Sequence, residues 1–183
     1  SGCHKEAMQI FDVMQRNYGL PNRSLFVRIL GSFSTPAAIE EGKAVHSYIV
    51  ESGFEGHLLV GNALLAMYGN FMELDCAQDV FNRMVEHDVI SWTTMMNIHL
   101  TLDQQYRVFD LYEQMHKDLV SPDKVTFLTL LYSCTKLKAL TEGKLIHTSI
   151  IVAGYGSDVD VVNALRKMYR TCDASEELST SKT

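Results

Sequence analysis

The segment EGKAVHSYI at residues 41–49 recurs as EGKLIHTSI at residues 142–150, at an offset of 101 residues. The same offset aligns further identical residues, which are Gly53 with Gly154, NAL at 62–64 with NAL at 163–165, MY at 67–68 with MY at 168–169, and Pro21 with Pro122. One register held over this span indicates an internal repeat. Because a fixed repeat period is typical of stacked-repeat architectures, it decides the fold class before any single element does.

A shorter period subdivides the repeat. An aromatic residue stands three positions before a methionine at Phe11 and Met14, at Phe81 and Met84, and at Tyr112 and Met115. The later two anchors are 31 residues apart, and the earlier two are 70 residues apart, which divides into two units of 35. These spacings predict motifs of 35, 31, 35 and 35 residues. The predicted units are a partial motif at 1–22, whole motifs at 23–57, 58–88, 89–123 and 124–158, and a partial motif with a tail at 159–183.

Each motif has the pattern of two short helices. In the motif 58–88, Val60, Leu64 and Met67 recur at helical spacing, Gly69 and Asn70 favour a turn, and a second apolar stripe follows from residue 76. A single hairpin of this size cannot bury its apolar stripe alone, so neighbouring hairpins must stack. The sequence therefore predicts an all-α protein, an α-solenoid of stacked helix-turn-helix repeats with the first helices lining one concave face.

Composition excludes several classes of protein. Hydrophobic residues at 46% and charged residues at 21% are typical of a folded chain, and 16 Lys and Arg against 22 Asp and Glu argue against a protein that merely coats phosphate. No apolar run approaches the ~20 residues of a membrane-spanning helix. The four cysteines lack a Cys-x-x-Cys pair, and no metalloprotease, phosphate-loop, hydrolase or zinc-deaminase signature is present. We therefore expect no catalytic residue, no metal and no cofactor.

The junctions between motifs resemble a known family, the pentatricopeptide repeat proteins. EGKAVH at 41–46 with VGNALLAMY at 60–68 is similar to the family's junction between a long and a short motif. DVISWTTMM at 88–96 is similar to its junction between a short and a standard motif. SPDKVTF at 121–127 is similar to its junction between a standard and a long motif. This order resembles the plant subtype that alternates standard (P), long (L) and short (S) motifs. The units then become partial P at 1–22, L at 23–57, S at 58–88, P at 89–123, L at 124–158, and partial S at 159–183.

The resemblance implies a right-handed superhelix that binds single-stranded RNA in a chloroplast or mitochondrion, about one base per motif, with a transit peptide outside these residues. In the family, a first-helix residue and the last residue of a motif read the base. The matching positions here are Asn62 with Asp88, Thr93 with Asp123, Val27 with His57, Leu128 with Asp158, and Asn163 without a partner. The first pair resembles the uracil-favouring combination, with cytosine tolerated, and the second the guanine-favouring one. Val27 and Leu128 cannot hydrogen-bond a base, so their motifs should discriminate poorly.

Other positions would hold the base and the backbone. The residues expected to sandwich bases are Leu59, Ile90 and Val125, and those expected to contact phosphates are Lys136, Lys167 and Arg170. Ser24 and Asp160 depart from the aliphatic pattern at the sandwiching position. The biological role implied by the resemblance is guiding the editing, splicing or processing of an organellar transcript, together with protein partners of that machinery and without membrane association.

Several alternatives remain open at this level. Asn62 and Asn163 could be structural hydrogen-bonding residues, and Asp88, Asp123 and Asp158 could cap the helices that follow them. Trp92 is expected in the core, and His46 and His147 as buried, hydrogen-bonded histidines. A different function, a protein-interaction scaffold that uses the solenoid groove, also fits the acidic net charge. The partial motifs are expected to leave apolar faces uncovered and to favour homodimers, around Ile10 and Phe11 at one end and around Leu165 and Met168 at the other.

Overall fold

The computed structural model describes residues 8–9, 11–13 and 22–180, with side chains described as far as Asp173. Residues 8–9 and 11–13 are helical. Within residues 22–180 the structure has nine α-helices, α1 Arg23–Leu30, α2 Ile39–Glu51, α3 Leu58–Phe71, α4 Leu74–Arg83, α5 Val89–Thr101, α6 Gln105–Lys117, α7 Lys124–Leu137, α8 Leu140–Val152 and α9 Val159–Thr180, with a 3₁₀ helix at Pro36–Ala38. No strand occurs in these ranges. The all-α prediction is confirmed.

The helices come in pairs with a regular spacing. Helices α1, α3, α5, α7 and α9 begin at Arg23, Leu58, Val89, Lys124 and Val159, which are 35, 31, 35 and 35 residues apart. The first four of these are each followed by a second helix, α2, α4, α6 and α8. This is the spacing that the division into motifs assumes. The assignment of individual motif types and the handedness of a superhelix stay predictions.

The chain divides into two compact units, Ser1–Ile98 and His99–Thr183. In the first unit, α1 packs against α3, and α3 packs against α4. Phe26, Ile29, Leu64 and Met67 are almost completely buried between these helices. First helices of consecutive hairpins therefore contact each other directly, which is the arrangement that stacking of hairpins requires.

The second unit repeats this arrangement with α7 at its centre. Helix α7 packs against α9, α8 and α6, and buries Phe127, Leu130 and Leu131 completely. Its N-terminus is closed by a capping box in which the Asp123 carboxylate accepts from the Thr126 N–H and the Thr126 hydroxyl accepts from the Asp123 N–H. Such boxes satisfy two of the helix donors that have no partner within the helix.

The expectation of uncovered apolar ends is wrong for the residues that the structure describes. Phe11 is buried and meets the Tyr48 ring edge-on at 5.3 Å between centroids. Leu165 and Met168 are buried as well, because α9 packs on α7 and α8 and the Met168 side chain fits against Gly143 of α8. Ile10 lies outside the described residues. These three side chains therefore offer no apolar face for a homodimer.

None of the helices in the described part of the chain combines the length and the apolar character needed to cross a membrane.

Candidate nucleic-acid interface

Asn62 and Asp88 are 26 residues apart in the chain and are joined by a hydrogen bond. The Asn62 amide nitrogen donates to Asp88 Oδ1 at 3.0 Å. Asn62 lies in the first turns of α3, where it is only 9% exposed, and Asp88 lies directly before α5 and is half-buried. The structure therefore brings together the two residues that were predicted to read one base.

Ser91 completes this cluster from the first turn of α5. Its hydroxyl lies 2.7 Å from Asn62 Oδ1 and 3.0 Å from Asp88 Oδ1, and its N–H donates to Asp88 Oδ1 at 2.9 Å. Burial by itself would raise the pKa of the Asp88 carboxyl, but hydrogen bonds from Ser91 and Asn62 outweigh burial and hold the pKa below its usual value. Asp88 is therefore ionised at neutral pH and acts both as partner of Asn62 and as cap of α5.

Exposed aliphatic side chains precede three of the first-helix positions predicted to read bases. Leu59 is 59% exposed, Ile90 55% and Val125 50%, although each is a large apolar residue. Each stands three residues before a first-helix position predicted to read a base, and residues three apart lie on one face of a helix. Solvent thus reaches these three side chains at the positions where sandwiching of a base was predicted.

Thr93 of α5 belongs to the first unit, and Asp123 belongs to the second. Thr93 is 7% exposed, and its hydroxyl donates to the backbone oxygen of Val89 at 2.6 Å, with Ile90 O at 3.3 Å. With its one proton used inside the helix, the hydroxyl retains lone pairs only as an acceptor. Asp123 is half-buried and caps α7. Both residues thus have structural hydrogen bonds besides the predicted reading role.

The last residues of the two predicted long motifs are bound by basic side chains. Arg23 Nη1 lies 2.7 Å from His57 Nε2, and Lys124 Nζ lies 3.0 Å from Asp158 Oδ2. Arg23 and Lys124 are both the first residue of a first helix, 101 residues apart. Val27 and Leu128, the predicted first-helix partners, are half-buried aliphatic residues. In these motifs the position that would read a base is therefore held by an intramolecular contact.

The final predicted motif, which begins at residue 159, has a charged residue at its sandwiching position. Asp160, at the sandwiching position, also pairs with Lys124, so the lysine lies between two carboxylates. The Lys124 ammonium and the Val161 N–H hold the pKa of Asp158 below its usual value. Asn163 is exposed and lines a shallow depression together with the predicted phosphate residues Lys167 and Arg170.

The third predicted phosphate residue, Lys136, lies in α7. Its ammonium group is 5.5 Å from the centre of the Tyr132 ring, and the side chain is exposed. All three predicted phosphate residues, Lys136, Lys167 and Arg170, belong to the second unit and are accessible. No set of three metal-ligating side chains occurs in the described part of the chain.

Sequence reasoning missed Ser91, Arg23 and Lys124. A signal for Ser91 was available, because Ser91 follows Asp88 by three residues as Thr126 follows Asp123, which is the spacing of a capping box. Trp92, by contrast, is buried against Phe81 as predicted.

The two recurring histidines each share a hydrogen bond with a tyrosine. His46 Nδ1 lies 2.7 Å from the Tyr68 hydroxyl, and His147 Nδ1 lies 2.9 Å from the Tyr169 hydroxyl. Both histidines are half-buried, so the predicted hydrogen bonds are present while the burial is only partial.

Comparisons with known proteins agree with the repeated hairpins. The PPR repeat family matches residues 87–136. A chloroplastic pentatricopeptide repeat-containing protein of Arabidopsis thaliana is 30% identical over 97% of this chain and 22% of its own length, and a putative mitochondrial one is 28% identical over 94% of this chain and 27% of its own length. The chain belongs to the pentatricopeptide repeat family. It spans about a quarter of the length of these curated relatives.

Solved structures show the same fold. The crystal structure of the pentatricopeptide repeat protein PPR10 from maize superposes with a TM-score of 0.70 at 19% identity, over 95% of this chain and 26% of the maize chain. The structure of PPR10 in complex with an 18-nt psaJ RNA element gives a TM-score of 0.67 at 18% identity, over 96% and 26% of the two chains. The pentatricopeptide repeat chain thus has the solenoid-type hairpin fold of PPR10.

Proposed function

We propose that this pentatricopeptide repeat chain binds single-stranded RNA, with about one base per motif. The motif 58–88 prefers uracil and tolerates cytosine through Asn62 and Asp88. The motif 89–123 prefers guanine through Thr93 and Asp123. Leu59, Ile90 and Val125 sandwich the bases, and Lys136, Lys167 and Arg170 contact phosphates.

The hydrogen bond between Asn62 and Asp88 carries this proposal. It joins two polar side chains at a place flanked by the exposed Leu59 and Ile90, all within the first unit. A base between two aliphatic side chains presents its edge to groups that lie beside them, and single-stranded bases are read on such edges. Leu59 and Ile90 are exposed and not packed in the core, so their side chains are accessible to a base.

The acceptor character of Thr93 supports a guanine at the next motif. Guanine carries two donors, N1–H and the N2 amino group, on its Watson–Crick edge. The Thr93 hydroxyl donates its proton to the backbone oxygen of Val89, so only its lone pairs remain for a base.

The two long motifs contribute contacts with little selectivity. Val27 and Leu128 have no polar group for a base, and the contacts Arg23–His57 and Lys124–Asp158 occupy the other reading position. A base can still lie against aliphatic surface there. We therefore assign the sequence preference to the two central motifs.

The proposed biological role is to guide the editing, splicing or processing of an organellar transcript. The names of chloroplastic and mitochondrial relatives support a location in an organelle, and the predicted alternation of P, L and S motifs supports a role as a guiding factor. In this role the chain supplies recognition and not catalysis, and proteins of the editing or splicing machinery would be its further partners.

Binding of short oligonucleotides tests the proposal. Stacking on aliphatic side chains should contribute near the low end of about 1–3 kcal/mol per base, so we expect high-micromolar to millimolar affinity. Six-base RNAs with a central UG should bind more tightly than RNAs with AG or UA at the same salt concentration. Asn62→Ala should remove the preference for U over A. Asn82→Ala, which changes an exposed amide on the second helix of the same motif, should retain it.

Equal affinity of the unmodified chain for all these RNAs would contradict the proposal.

A second candidate function, binding of a protein segment, is favoured by one observation. The second unit has a cavity of about 660 Å³ between α6, α7 and α8, lined mainly by apolar side chains that include Phe127, Leu145 and Tyr155. Leu145 and Val152 beside it are highly exposed. A chain that captures a protein partner through this surface and shows no RNA preference would support this function instead.

A further inference from the structure

The Ser91 hydroxyl lies where the two predicted base-reading side chains meet. Ser91 is completely buried, and its hydroxyl is within hydrogen-bond distance of Asn62 Oδ1 at 2.7 Å and of Asp88 Oδ1 at 3.0 Å. It also accepts from the Asp88 N–H at 3.2 Å. Ser91 belongs to the next motif along the chain, so a residue outside the motif 58–88 contacts the side chain that reads its base.

These contacts fix the orientation of the Asn62 amide. An asparagine amide can rotate by 180° and exchange its oxygen and nitrogen, which reverses its donors and acceptors. In the reversed orientation the amide oxygen would face the ionised Asp88 carboxylate at the distance of 3.0 Å that the nitrogen now has, and the two acceptors would repel. In the observed orientation, the amide oxygen of Asn62 accepts a hydrogen bond of 2.7 Å from the Ser91 hydroxyl.

The fixed orientation determines what the base meets. Asp88 takes one of the two amide protons of Asn62, and Ser91 occupies one lone pair of the amide oxygen. One amide proton remains for an acceptor on the base. On this edge uracil offers two acceptors, the carbonyl oxygens O2 and O4, and cytosine offers O2 and N3. Each purine offers only one acceptor, N1 in adenine and O6 in guanine, beside its amino-group donors.

We propose that Ser91 is a positioning residue that sets the pyrimidine preference of the preceding motif by holding the Asn62 amide with a proton towards the base. This inference rests on the proposed RNA binding. It adds a third residue to the pair that reads the base, and it makes the preference of one motif depend on the side chain at the third position of the next motif.

The chain contains a matched control for this role. Thr126 occupies the third position of its first helix and forms the same capping box with Asp123 that Ser91 forms with Asp88. The hydrogen bonds of the Thr126 hydroxyl are to Asp123. Thr126→Ala therefore removes a cap of the same kind, without changing a neighbour of Asn62.

The experiment measures RNA preference with the whole chain and four variants. We compare affinities for six-base RNAs with central UG and AG for the unmodified chain, Ser91→Ala, Ser91→Thr, Thr126→Ala and Asn62→Ala. For Ser91→Ala we expect the preference for U over A to fall about three- to tenfold, which corresponds to the loss of one hydrogen bond. Ser91→Thr keeps the hydroxyl and should keep the preference, and Thr126→Ala should change it less than about twofold.

A second measurement follows the contact without RNA. The side-chain amide signals of Asn62 in a ¹⁵N-labelled chain, assigned by their loss in Asn62→Ala, should show slow hydrogen exchange. Ser91→Ala should accelerate this exchange, while Thr126→Ala and Ser91→Thr leave it slow. Circular dichroism checks that each variant retains its helices.

The outcomes separate this inference from the proposed function. An unmodified chain with a U preference that Ser91→Ala retains in full would overturn the inference and leave the RNA binding intact. Equal loss of preference in Thr126→Ala would also overturn it, because general destabilisation would then explain the effect. An unmodified chain with no preference at all would overturn the proposed function, and the Asn62 amide signal would then decide the Ser91 contact by itself.

Discussion

Asn62 and Thr93 occupy the same position in consecutive first helices, but they leave different groups free. Both are more than nine-tenths buried, and both have protein partners for part of their hydrogen-bonding capacity. The Asn62 amide retains a donor, whereas the Thr93 hydroxyl retains only lone pairs. A difference in selectivity between the two motifs therefore follows from which hydrogen bonds the protein already makes.

Replacing Thr93 by asparagine should transfer the selectivity of one motif to the other. Thr93→Asn introduces an amide donor where an acceptor now lies, so we expect the preference at this base to move from G towards U, by at least about threefold in relative affinity. Fluorescence anisotropy with labelled UG and UU RNAs measures the change. Thr94→Asn, at the adjacent half-buried position, is the control and should leave the preference for G.

Unchanged relative affinities in Thr93→Asn would show that this threonine does not read the base.

Some of these side-chain roles could be predicted from the sequence, and others could not. The pairing of Asn62 with Asp88 was predicted from the resemblance to pentatricopeptide repeat proteins, in which a first-helix residue and the last residue of a motif read the base. The contact of Ser91 with Asn62 depends on a distance of 2.7 Å between neighbouring hairpins, which spacing along the chain does not determine. The pairing of Lys124 with both Asp158 and Asp160 is equally a matter of how two first helices lie side by side.

Equivalent positions in the two units also carry the same packing features. Gly42 and Gly143 are 101 residues apart, and each is the fourth residue of its helix, α2 and α8. A Cβ atom at Gly42 would lie 2.7 Å from Cε2 of the Phe71 ring, and one at Gly143 would lie 2.6 Å from the Met168 sulfur. The absence of a side chain lets the neighbouring helix approach closely in both places.

The two glycines should nevertheless respond differently to substitution by alanine. Gly42→Ala gains about 1 kcal/mol of helix propensity but pushes against an aromatic ring that cannot bend, so we expect the free energy of unfolding to fall by up to about 2 kcal/mol. Gly143→Ala meets the flexible end of a methionine, and the better helix propensity of alanine, about 1 kcal/mol, offsets the remaining strain. Urea unfolding followed by circular dichroism compares the two variants. A loss in Gly143→Ala as large as that in Gly42→Ala would contradict this explanation.

At the level of elements, the sequence was sufficient for nearly the whole fold. Apolar residues at helical spacing and the recurring anchors predicted pairs of short helices, and the observed first helices begin 35, 31, 35 and 35 residues apart. The prediction failed at the ends, where uncovered faces were expected around Phe11 and Met168. It failed because Phe11 packs against Tyr48 of α2, and because α9 packs on α7 and α8, which cover Met168.

The net charge of the whole chain limits how phosphate contributes to binding. The formal net charge is −6, so the chain as a whole does not attract RNA at long range. Contacts to phosphate must therefore come from individual cations. Lys136, Lys167 and Arg170 are exposed cations outside the five ion pairs of the described residues, whereas Lys124 is bound between two carboxylates. The affinity for RNA should therefore depend on the salt concentration less steeply than is usual for nucleic-acid-binding proteins.

This dependence can be given a number. Three phosphate contacts on single-stranded RNA predict a slope of about −2 for the logarithm of the affinity against the logarithm of the salt concentration, since each contact contributes about −0.7. Affinity should then fall between about ten- and twentyfold from 50 to 200 mM salt. Lys167→Gln should reduce the slope by about 0.7, because it removes one of the three contacts. Lys124→Gln should leave it unchanged, because the carboxylates of Asp158 and Asp160 already neutralise that lysine and keep it from a phosphate. Titrations at four salt concentrations give the slopes, and an equal reduction in both variants would show that the phosphate contacts are assigned wrongly.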